Sequence, residues 1–132
     1  MQTRLRSLQR ILAVQKNLQR LAELKLAQLQ HREVELQKDQ ERLVSYLDEE
    51  HVFTPAYAKM IAGRLQNLAG QRQRAGADKQ QQSDRALEHA RKVGRAERRV
   101  DEVGELLRRI EERKELEAAM EAEMNLKQAS LR

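Results

Sequence analysis

The side chains able to do chemistry are few in kind. The 132 residues include three histidines, no cysteine and 21 acidic side chains. A helical metal site needs ligands one turn apart, and a covalent catalyst needs a nucleophile beside an oriented base. His31, His51 and His89 stand far apart, none in a His-x₃-His pair. The missing thiols remove disulfides, thiolate nucleophiles and thiolate metal sites together. The five glycines are scattered, and none follows a strand pattern into a loop that could cradle phosphate. Carboxylates are plentiful, but acid–base work needs a pocket that shifts their pKa values. The sequence predicts no enzyme, no cofactor and no metal.

The elements that would carry these side chains are helices. Charged residues make up 36% of the chain and aromatic residues only 2%, which leaves too few bulky side chains for a compact core. The excess of Ala, Glu, Lys, Leu, Arg and Gln at low Gly and Pro is the composition of long exposed helices. No run approaches 18 apolar residues, so no membrane span is expected. The N-terminus has no apolar h-region of a signal peptide. Punctuation is strong at one place. Thr54 is a good N-cap, and Pro55, lacking an N–H donor, suits the first helical position. The reading is a single coiled-coil domain over 1–132, with a helix at about 4–49, a turn at about 50–54 and a helix at about 55–129.

Both helices follow a heptad rhythm. The first places Leu5, Leu8, Leu12, Gln15, Gln19, Ala22, Leu26, Leu29, Glu33, Leu36, Gln40, Leu43, Leu47 and Glu50 on one seam. The second runs Ala58, Ile61, Leu65, Leu68, Arg72, Ala75, Lys79, Gln82, Ala86, His89, Val93, Ala96, Val100, Val103, Leu107, Ile110. Its middle is polar and holds Gly70 and Gly76, so 70–82 is a soft point, and a break there giving three helices is the alternative. The fold class is all-α: an elongated antiparallel two-helix coiled-coil hairpin with a longer, overhanging second helix. Folding back from the turn puts Leu43 near Ile61, Leu36 near Leu65 or Leu68, and Leu8 near Val93 or Ala96. The first helix is then exhausted near residue 100.

That geometry selects candidate partner-binding residues. Val103, Leu107 and Ile110 would lie beyond the first helix, with Arg108, Arg109 and Arg113 beside them to set orientation. Charge is segregated, with residues 1–32 and 55–99 basic and residues 33–54 and 100–132 acidic. Arg4, Arg91, Lys92, Arg95, Arg98 and Arg99 form a secondary basic face. Phosphate neutralisation is within its chemistry, but aromatic residues for base stacking are missing and Glu88 and Glu97 interrupt it. A protein-docking face is the preferred reading over nucleic acid. His89 on the seam reads as a register-fixing polar residue, with a pH-sensitive layer or metal ligand as the sharper alternative. Tyr46, Phe53 and Tyr57 flank the turn and read as a cluster that closes the hairpin or serves as a docking tip.

The opening Arg4-Leu5-x-x-Leu8-x-x-x-Leu12 repeat, the turn His51-Val52-Phe53-Thr54-Pro55-Ala56-Tyr57 and the long second helix resemble the FliJ/YscO family of flagellar and type III secretion export stalk proteins. The resemblance spans nearly the whole chain. It implies a non-catalytic stalk or escort that binds the export ATPase hexamer, the export-gate protein and export chaperones. It also implies a cytoplasmic location, peripheral at the inner-membrane export gate. A basic homo-oligomeric scaffold or a nucleic-acid-associated protein is the alternative, with self-association through paired overhangs.

Overall fold

The computed structural model describes residues 2–48 and 54–131. Helix α1 spans Gln2–Asp48 and helix α2 spans Pro55–Ser130, and no strand occurs among the described residues. The two helices pack against each other as an all-α hairpin. Helix α2 has 76 residues against 47 in α1, and it runs without interruption through 70–82. A Cβ on Gly76 would meet nothing within 4 Å, so that glycine answers no packing need.

The start of α2 is set by local chemistry. The Tyr57 N–H donates to the Thr54 hydroxyl at 3.2 Å and to its carbonyl at 3.0 Å, and the Ala58 N–H reaches the same carbonyl at 3.1 Å. Thr54 is thus the N-cap and Pro55 the first helical residue, where a missing N–H costs no bond. The rest of the expected turn, with His51 and Phe53, lies outside the described residues. Tyr46 and Tyr57 are both exposed.

Burial follows the heptad frame. Along α1 every residue withdrawn from solvent is a seam residue: Leu5, Leu8, Leu12, Gln15, Gln19, Ala22, Leu26, Leu29, Glu33, Leu36, Gln40 and Leu43. Leu47, the next expected, is exposed. On α2 the seam from Ala58 to Leu107 is likewise withdrawn throughout.

The chain forms two compact units. In Asn17–Ala90 the buried side chains are Ala22, Leu36, Ile61, Ala75, Gln82 and Ala86. Three polar seam residues of α2, Gln82, Arg72 and Lys79, are matched across the hairpin. The Gln82 amide donates from Nε2 to the Ala22 carbonyl at 3.1 Å, and Arg72 donates to Gln40 Oε1 at 3.0 Å. The Lys79 ammonium stands 2.9 Å from a Glu33 carboxylate oxygen as an ion pair. As residue numbers fall along α1 they rise along α2, so the packing is antiparallel. The small Ala22 lets Gln82 reach a main-chain oxygen, which keeps a buried amide from going unmatched.

The second unit joins Met1–Lys16 to Arg91–Arg132. Val93 and Val103 are its buried side chains, and Lys16 pairs with Glu97 at 3.8 Å. Half-exposed ion pairs of this length orient more than they stabilise.

Candidate protein-docking surface

The open end of the second unit differs from the sequence expectation. Val103 is only 5% exposed, Leu107 is half-buried, and Ile110 is 38% exposed. A groove of about 490 Å³ is lined by Gln2 and Thr3 from α1 and by Leu107, Ile110, Glu111 and Lys114 from α2. The first helix therefore is not exhausted near residue 100: Val103 and Leu107 are withdrawn from solvent, and of the three only Ile110 is exposed. The reason lies in side-chain direction. Helical side chains lean toward their own N-terminus, so in an antiparallel pair those of α2 reach back over α1 while those of α1 reach outward. Helix α1 also begins at Gln2, one half-turn earlier than its pattern suggested.

The three arginines of that candidate cluster differ. Arg108 donates to Glu105 Oε1 at 2.7 Å and approaches Glu112 at 3.9 Å, while Arg109 lies 3.5 Å from the same Glu105 oxygen. The hydrogen bond from Arg108, reinforced by the charge of both arginines, holds the Glu105 carboxyl below its ordinary range. The same partner raises the already high pKa of Arg108. These two guanidiniums are engaged along α2 itself. Arg113 is exposed and makes no ion pair among the described residues.

Past Lys114, no α1 residue shares a described groove with α2. Every described residue from Glu111 to Leu131 is exposed. Leu116 is 62% exposed, Met120 57% and Met124 61%. At i, i+4 and i+8 these three form one strip, edged by Glu117, Glu121 and Glu123. This tail is an uncovered apolar surface, and the seam frame did not find it because Leu116 and Met120 lie off the a and d positions, with only Met124 on one. Its sequence signal was an apolar side chain at every fourth residue after Lys114, a spacing that crosses the 3-4 seam instead of following it.

The secondary basic face is solvent-facing. Arg4, Arg91, Arg95, Arg98 and Arg99 are exposed and Lys92 is half-buried. Arg98 donates from Nε to the Gly94 carbonyl at 3.3 Å. His89 is half-buried on the seam, with its buried Nδ1 lacking a hydrogen-bond partner among the described residues. No group of three metal-ligating side chains occurs among the described residues, and no helix of these is long and apolar enough to cross a membrane. The other clefts are open surface grooves, such as the one of about 370 Å³ between Asp39, Arg42, Leu43, Tyr46, Arg64, Asn67, Leu68 and Gln71. Compared with family models, curated proteins and solved structures, the chain matches none.

Proposed function

We propose that this chain is a non-catalytic coiled-coil stalk and escort protein of a bacterial flagellar or related type III protein-export apparatus. In this reading it binds the export ATPase ring and the export-gate protein, hands over export chaperones, and works in the cytoplasm at the inner-membrane gate. The observation that supports it best is the unpartnered end of α2, where Leu116, Met120 and Met124 are all more than half exposed on a helix with a mixed-charge surface. A stalk needs such an end: apolar side chains to contact a ring lumen and charges to set orientation. The engaged Glu105–Arg108–Glu112 network just before it would keep the helix ordered up to the contact.

The test is a pull-down of the full chain against a purified export ATPase. Binding is expected, and Leu116→Ser with Met120→Ser should weaken it by about tenfold or more without loss of helicity. No binding by the unaltered chain would overturn the proposal. The alternative scaffold reading draws on the exposed arginines at 4, 91, 95 and 99. It requires polyanion binding that falls steeply with salt.

A further inference from the structure

The start of α1 and the end of α2 each carry an apolar patch that their own chain leaves open. Ile11 and Val14, one turn apart on α1, are 51% and 56% exposed. Arg4 precedes Ile11 by seven residues and Arg10 precedes Val14 by four, so both guanidiniums border that patch. From Gln2 to Lys16 there are four basic residues and no acidic one. The tail strip of Leu116, Met120 and Met124 has the opposite border, Glu117, Glu121 and Glu123. Among the described residues none of these five bordering charges has a side-chain partner. The first turn of α1 also holds no acidic residue of its own.

We propose that the tail of one copy docks on the Ile11–Val14 face of a second copy, and that the exchange is reciprocal. The tail cannot reach the patch of its own chain, because α2 stays helical to Ser130, well past the groove that Thr3 and Lys114 both line. At about 1.5 Å per residue the 20 residues from Glu111 to Ser130 form a helix of about 30 Å, long enough to cover both apolar residues and both arginines of the partner. Reciprocal docking closes a two-fold dimer, since one copy's tail answers the other's basic face and the reverse. Two equivalent contacts form together, each matching apolar strip to apolar patch and carboxylate to guanidinium. The dimer would also withdraw the tail from any other partner, so a ring that takes the tail must first separate the two copies.

The test uses this chain alone, so its result is independent of the export reading. Light scattering across concentration should show a particle of twice 15.4 kDa at low salt, shifting toward 15.4 kDa as salt screens the charge contacts. Because the chain has no cysteine, single thiols report neighbours directly. Copies bearing Ile11→Cys mixed with copies bearing Met120→Cys should cross-link to each other, and each variant alone should not. Arg4→Glu with Arg10→Glu should weaken the dimer by about tenfold or more at unchanged helicity, and Glu117→Lys with Glu121→Lys in the partner copy should restore it. A monomer at every concentration overturns the proposal. So does cross-linking of Met120→Cys to itself without the mixed product, which would mean that tails pair with tails.

Discussion

The unit from Asn17 to Ala90 and the tail from Glu111 to Leu131 use the same helix chemistry with opposite outcomes. In the first, Gln82 is buried and its amide is spent on the Ala22 carbonyl, while Arg72 and Lys79 find Gln40 and Glu33 across the hairpin. In the second, Leu116, Met120 and Met124 stand mostly in water. Residue type alone did not sort these side chains. What sorted them was whether a second helix lay opposite, and the hairpin supplies one only as far as Gln2 of α1 reaches. A polar side chain is tolerated inside when its hydrogen-bonding groups are met, and an apolar one stays outside when nothing is there to cover it.

The largest test of that contrast sets Leu36 against Leu116. Leu36 is 3% exposed, and truncation to Ala should cost about 2–5 kcal/mol in chemical denaturation. Leu116→Ala should stay within about 0.5 kcal/mol for the isolated protomer. Similar losses at both sites would mean that the tail is packed as core. Next comes the edge between the two regions. Leu107→Ser with Ile110→Ser should lower stability by about 1–3 kcal/mol, because these residues share a groove with Gln2 and Thr3. An unchanged melting temperature would place them with the tail instead.

A smaller effect is expected from the buried amide. Gln82→Leu removes a matched donor, yet the Ala22 carbonyl retains its helical bond, so the change should fall within about 1 kcal/mol and either sign is compatible with that size. A loss above about 3 kcal/mol would mean that the amide organises more of the seam than its one bond. The smallest effect concerns Glu105. Its folded pKa is depressed by Arg108, so its contribution is present above the ordinary value of 4.5 and is lost as pH falls through the lower folded value. Carbon NMR should give a Glu105 midpoint below 4.5 that moves up in Arg108→Gln. A midpoint unaffected by that substitution would remove the pairing.

Much of this molecule follows from local pattern. The 3-4 spacing from Leu5 to Leu43 and from Ala58 to Leu107 marked the seam residue by residue, since a helix shows only one face to one neighbour. Thr54-Pro55 marked the start of α2, because an N-cap and a residue without an N–H are set by the backbone of a single turn.

The extent of cover was not readable in this way. Where α1 stops protecting α2 depends on how the two sets of side chains lean toward each other, which is a property of the pair and not of either helix. That lean drew Val103 and Leu107 inside and moved the uncovered surface to Leu116, Met120 and Met124. The matching of Gln82 to a main-chain oxygen, and of Lys79 to Glu33, likewise required the register between the helices. Heptad spacing determines which residues face a partner. Only the packed pair decides which of them has one, because burial is a relation between two surfaces.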